Sequence, residues 1–166
     1  MSTEPRITHR DAMPYIAVRE TADMTTLAAV IDRSFPRLFG WLGARGAAPH
    51  GAPFLRFLVI DMPRFDLELG VPTAADVSAT GDDGVVSGAL PAGRYVEHIH
   101  VGHYDGLVDA NASLQAWVAD HGVELDVTTE PSGEVWGCRI EQYVTDPRVE
   151  PDPAAWETLI AYRLAE

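Results

Sequence analysis

The chain has no lysine: all 12 of its basic residues are arginines, set against 25 aspartates and glutamates. The formal charge of -13 repels a phosphate backbone, and no basic run offsets it, so no nucleic-acid partner is expected. Cysteine is almost missing as well. Cys138 stands alone, which excludes an intrachain disulfide and suits a reducing compartment. No apolar run approaches the roughly 18–20 residues of a membrane-spanning helix. The polar stretch Met1 to Arg10 lacks the apolar centre of a secretory signal. These absences lead to the expectation of a cytoplasmic protein with no membrane partner.

Several catalytic templates are also missing. There is no G-x-S-x-G elbow, P-loop, G-x-G-x-x-G turn or C-x-x-C pair, and no cofactor is expected. What remains is an ordinary globular composition, 46% hydrophobic and 22% charged over 166 residues. That length fits one domain, or two tightly fused halves, with a proper core.

The strongest organising signal is an internal repeat. Leu38-x-x-Trp41-Leu42-x-x-x-Gly46 returns at the same spacing as Leu114-x-x-Trp117-Val118-x-x-x-Gly122. Leucine and tryptophan three apart mark one helix face, and the glycine suits a left-handed position just past the helix end. Strand-like runs flank both helices. Tyr15–Glu20 precedes the first, and 54–60 and 65–71 follow it, joined by a turn at Met62-Pro63-Arg64. Arg94–Val101 precedes the second, and 134–144 and 155–164 follow it. Each half therefore reads β-α-β-β. The first repeat is expected over about residues 7–72 and the second over about 90–166, with a linker over about 73–89 carrying the turn Gly81-Asp82-Asp83-Gly84. Pro36 is expected to kink or restart the first helix with Ser34 as its cap. Asp105 or Asn111 is expected to cap the second.

Four elements in order carry a family resemblance: Leu90-Pro91-Ala92-Gly93-Arg94-Tyr95; His100-Val101-Gly102-His103-Tyr104-Asp105-Gly106-Leu107; Leu114-x-x-Trp117; and Ile140-Glu141-Gln142-Tyr143-x-x-Asp146-Pro147. Over about residues 7–166 the chain resembles the GyrI-like small-molecule-binding family. That family includes effector-binding domains of AraC-type and MerR-type multidrug regulators and free-standing gyrase-inhibitory proteins. The resemblance implies an α+β fold of duplicated units related by a pseudo-twofold axis, with curved antiparallel strands and helices outside. It further implies a central aromatic pocket with a buried carboxylate, which falls on Glu141. Free-standing relatives include drug-sequestering proteins and some hydrolases of strained-ring electrophiles that use a pocket Glu with a Tyr or Trp. A small-molecule ligand is thus the expected partner, with gyrase a partner by family analogy alone.

The residues add their own reading. Glu141 sits in an otherwise apolar or aromatic strand, where a carboxylate must be paired, protonated or answered by a ligand cation. It is the candidate anchor and, if the protein is an enzyme, the candidate catalyst; the alternatives are solvent exposure or pairing with Arg139 or Arg163. Tyr143, two residues on, shares its strand face. Trp136 and Trp156 are the next pocket candidates, and Tyr15, Phe39, Phe57, Tyr104 and Tyr162 follow. Aromatic walls hold a flat ligand by area and a cationic one by cation–π attraction. Trp41 and Trp117 read as core, Glu68 as solvent-facing, and Cys138 as a small core residue. His98, His100 and His103 are close enough in sequence to suggest zinc, but they lack a carboxylate or thiolate companion, so no metal is expected.

Overall fold

The computed structural model describes residues 3–81 and 83–166; Asp82 of the expected linker turn, and Met1 and Ser2, lie outside them. Among the described residues, ten strands form a single sheet. The first half supplies β1 (Arg6–Arg10), β2 (Met13–Asp23), α1 (Leu27–Ala44), β3 (Phe54–Asp61) and β4 (Arg64–Pro72). The second supplies β5 (Val85–Leu90), β6 (Gly93–Val101), α2 (Leu107–Asp120), β7 (Val127–Glu130), β8 (Gly133–Trp136), β9 (Arg139–Tyr143) and β10 (Glu157–Arg163). The strand order is β1-β6-β10-β9-β3-β4-β2-β5, with the β7–β8 hairpin branching from β3, and every pairing is antiparallel.

The repeat is more extensive than β-α-β-β. Each half opens with an additional strand that crosses over: β1 pairs with β6 of the second half, and β5 pairs with β2 of the first. The segment expected to be linker therefore contains a strand. Registers define the symmetry. Tyr15 and Tyr95 are equivalent, so Val18 opposite Leu69 matches His98 opposite Ile160. One strand further in, Leu69 opposite Leu55 matches Ile160 opposite Glu141. Leu55 and Glu141 are thus equivalent to each other, and they face each other across the β3–β9 pair. The pseudo-twofold axis runs between a leucine and a glutamate.

The two helices end alike. Gly46 and Gly122 take left-handed φ values of 64° and 62°. The next N–H groups, of Ala47 and Val123, donate to Leu42 and Val118 at 3.0 and 3.1 Å, closing the same capping motif. Their beginnings depart from expectation. Pro36 lies inside an unbroken α1, and Ser34 is no cap: its hydroxyl donates to Glu20 at 3.1 Å. Neither Asp105 nor Asn111 caps α2. Asp105 lies in the 3-10 turn Tyr104–Gly106, where its own N–H donates to the His103 side chain, and Asn111 lies inside the helix.

Both helices cover the same sheet face. In α1, Val30, Leu38, Trp41 and Leu42 pack on β2 and β4, and in α2, Leu107, Leu114 and Val118 pack on β6 and β10. Trp41 is buried core as expected; Trp117 is half-buried and stacks on His121 at 3.9 Å. The opposite face curls over its own core of Tyr15, Phe54, Tyr95, Cys138, Ile140 and Ala161. Two further expectations fail. Glu68 is buried, accepting from Tyr15 at 2.5 Å and Arg19 at 3.3 Å, rather than solvent-facing. The expected strand 134–144 is broken at Gly137, where a Cβ would run into the Asp126 carboxylate; the chain there leaves β8 and re-enters as β9.

Candidate functional site

Between the two helices, on the face they cover, the sheet presents Arg139, Glu141 and Tyr143 from alternate positions of β9. Tyr143 touches the cores under both helices, which places this strand at the seam between the halves. Glu141 is 8% exposed. Its Oε1 accepts from the Asn111 side-chain amide at 3.0 Å, and its Oε2 accepts from the Tyr143 hydroxyl at 3.4 Å.

Asn111 ties the site together, and sequence reasoning assigned it only to a helix end. Its amide nitrogen also donates to the Leu107 carbonyl at 2.8 Å. Its carbonyl oxygen accepts from the Tyr162 hydroxyl at 2.5 Å and from Arg139 at 3.3 Å. A signal was available: Leu107, Ala110, Asn111, Leu114 and Val118 form the buried stripe of α2, and one member is polar. A polar residue in such a stripe needs a buried partner.

Arg139 is the second residue that sequence reasoning undervalued. Its guanidinium lies 4.7 Å from the Trp136 ring centroid, 4.8 Å from Tyr162 and 5.5 Å from Phe57. It attracts Glu141 without closing an ion pair on it among the described residues. Arg163, the other basic partner considered for Glu141, instead pairs with Asp126 and Glu166, both at 2.8 Å.

On the other side of Tyr143 the aromatics continue. Tyr104 meets it edge-on at 5.4 Å, and Trp156 lies 4.8 Å from Tyr104. Phe35 of α1 meets Tyr143 edge-on at 6.4 Å and was not foreseen. The structure thus gathers Tyr104, Tyr143, Trp156, Phe57, Trp136 and Tyr162 around the Glu141 network. Tyr15 does not join them: it lies on the opposite face, bonded to Glu68 and, at 2.8 Å, to Arg56. Phe39 stands 39% exposed on α1, its ring 6.5 Å from Phe35.

The histidines stay apart. His98 is buried, and burial lowers its pKa; His100 contacts the His103 carbonyl at 3.0 Å, and His103 stacks on Trp156. No cluster of metal-ligating side chains occurs among the described residues. Burial raises the Cys138 thiol, leaving it the small core residue expected. An open cleft of about 620 Å³ lies elsewhere, lined by Arg6, Arg10, His50, Thr73 and Glu97 among others. It includes none of the expected ligand-binding residues.

Burial pushes the Glu141 carboxyl above its ordinary range, against the downward pull of the Asn111 amide and Arg139. Tyr143 is raised well above the usual phenol value, by burial first and then by the Glu141 charge. A carboxyl with a raised folded pKa holds its proton more tightly when folded, so it costs nothing below the unfolded value and costs progressively more as pH rises above it. Wild type is therefore expected to lose stability relative to Glu141→Gln as pH is taken from about 4 to 8. Urea unfolding midpoints across that range measure it; the opposite slope would mean that Arg139 and Asn111 outweigh burial.

The GyrI-like small-molecule-binding domain matches residues 3–163. The chain belongs to the GyrI-like family. Its duplicated α+β fold recurs in distant relatives. The EcmrR protein of an EcmrR–DNA complex superposes with a TM-score of 0.76 at 17% identity over 98% of this chain. The chain spans 57% of that protein. SAV2435 bound to tetraphenylphosphonium superposes with a TM-score of 0.64 at 8% identity, over 98% of this chain and 94% of that one. A hydrolase from Listeria innocua does so with a TM-score of 0.64 at 13% identity, over 98% and 92%. No curated protein sequence matches. No helix among the described residues of this GyrI-like domain is long and apolar enough to cross a membrane.

Proposed function

We propose that this GyrI-like protein captures hydrophobic, aromatic or cationic small molecules at the Glu141 site, for sequestration or sensing. The observation that carries the reading is a buried carboxylate at the seam of two pseudo-symmetric halves, hydrogen-bonded among the described residues by an amide and a phenol and surrounded by aromatic rings. Such a carboxylate retains unspent attraction for a cation, and the rings supply area for a flat ligand. The tetraphenylphosphonium complex of SAV2435, which shares the fold, supports the same class of ligand. Because Glu141 is nearly covered, a ligand reaches it by moving the side chains above it.

The test compares tetraphenylphosphonium with the neutral dye N-phenyl-1-naphthylamine on wild type and Glu141→Gln, each shown to be folded by a cooperative thermal transition well above the assay temperature. Loss of the carboxylate is expected to weaken the cation about tenfold and the neutral dye less than about threefold. Wild type that binds neither probe, or a Gln variant that binds both unchanged, would overturn the reading.

A second reading, Glu-dependent hydrolysis of a strained-ring electrophile, is favoured by the Tyr143 hydroxyl at 3.4 Å from a carboxyl whose pKa is raised. Glu141 would take a proton from water as the water oxygen attacks a ring carbon and the ring C–O bond breaks, its electron pair going to the ring oxygen. The protonated Glu141 then returns the proton to that oxygen, giving the diol and restoring the carboxylate, with Tyr143 holding the carboxylate in place. Turnover of an epoxide lost in Glu141→Gln, with binding kept, is the expected signature of this reading; absence of turnover in wild type removes it.

A further inference from the structure

The aromatic cage beside Glu141 already contains a cation, and it belongs to the chain. Trp136 from β8, Tyr162 from β10 and Phe57 from β3 converge on the Arg139 guanidinium, each within 4.7–5.5 Å of its carbon. These are the distances at which ring faces attract a positive charge. Arg139 is also poorly satisfied by hydrogen bonds: it has one, to Asn111 at 3.3 Å, and its buried Nε has no partner among the described residues. With this one long bond inside the protein, the partly exposed guanidinium is positioned chiefly by the rings and by the nearby charge of Glu141.

Tethering decides the consequence. Arg139 sits two residues from Glu141 on the same strand face, so its charge is supplied at the site without any cost of association. A ligand cation entering between the rings has to displace this charge or tolerate it at close range. A neutral aromatic ligand meets no such opposition. Resting on the proposed small-molecule capture at Glu141, we propose that Arg139 is a built-in occupant of the aromatic cage that competes with cationic ligands and biases the site toward neutral aromatic ones.

Three substitutions separate charge from shape. Arg139→Met fills the space between the rings without charge, Arg139→Lys retains the charge, and Arg139→Met with Glu141→Gln removes both charges. Titration calorimetry with tetraphenylphosphonium and fluorescence with N-phenyl-1-naphthylamine read the result. Arg139→Met is expected to bind the cation about tenfold more tightly than wild type, with the neutral dye shifted less than about threefold. Arg139→Lys, which retains the charge, should gain less for the cation than Arg139→Met does, and the double variant should lose the gain for the cation. A thermal midpoint for each variant confirms that it is folded. If wild type and Arg139→Met bind the cation equally, or only the neutral dye improves, the internal occupant is refuted while capture at Glu141 stands. If no folded variant binds either probe, both fall together.

Discussion

Replacing Asn111 with leucine is expected to cost about 3–5 kcal/mol of folding stability, far more than the loss of one surface amide would suggest. The side chains are close in size, so the cost comes from stranded polar groups. The Glu141 Oε1 loses its amide donor, the Tyr162 hydroxyl loses its acceptor at 2.5 Å, and Arg139 loses its one hydrogen bond. All of this happens in a region where Asn111 and Glu141 are each 8% exposed and Tyr162 is 0% exposed, so water does not substitute. The amide also lowers the Glu141 pKa, and its removal raises that value further. The penalty therefore grows as pH rises above the ordinary carboxylate range and shrinks below it. Urea unfolding at about pH 4.5 and pH 8 tests both the size and the slope. A variant within 1 kcal/mol of wild type at both pH values would show that the network does not hold the seam together.

The second large effect comes from the symmetry axis. Leu55 is fully buried, faces Glu141 across β3–β9 and occupies the equivalent position in the other half. Making the halves alike by Leu55→Glu would place two carboxyl groups side by side, with Cβ atoms about 4.5–5.5 Å apart, in an apolar setting. The loss is expected to be on the order of 5 kcal/mol at neutral pH, enough to leave many domains unfolded. Leu55→Gln has the same shape without the charge and should cost less. The gap between the two variants isolates the added charge, its desolvation together with its repulsion from Glu141: it should close as pH falls below the carboxylate range, because both carboxyls are then protonated in the folded and unfolded states. Denaturant curves for the two variants at matched pH decide it, and a gap that stays constant with pH would rule out carboxylate repulsion as its source.

Much of this organisation was legible in the chain. Helix ends follow from local chemistry, so Leu38, Trp41 and Gly46 could be matched to Leu114, Trp117 and Gly122, and both helices close with the same capping bonds. The Glu141–Tyr143 pair was legible because period-two facing is a property of any strand. What escaped depends on contacts distant in sequence. Alternation in β4 correctly places Glu68 opposite Leu67 and Leu69, but nothing local reveals that the curled sheet buries that second face under Tyr15 and Arg19. Tyr15 stays out of the candidate site because alternation in β2 turns Ile16 and Val18, not Tyr15, toward the helices. Arg139 looked like an ion-pair partner because proximity in sequence indicates charge but not the ring faces arriving from β3, β8 and β10. The break at Gly137 is set by Asp126, eleven residues earlier, which strand propensity does not register.

The crossing of β1 and β5 bears on how the two halves can have come to share one chain. Each half contributes its opening strand to the far side of the other: β1 beside β6 and β5 beside β2. This is the geometry of a strand-exchanged homodimer, held within one polypeptide. A half expressed alone would carry an orphan strand together with an unfilled slot of matching shape, and two such halves would complete each other by reciprocal exchange. Fusion of the halves frees each copy to change its sequence on its own side of the axis. A true dimer of identical chains would have to place the same residue at both Leu55 and Glu141, and only the joined form can pair a leucine with a lone acid.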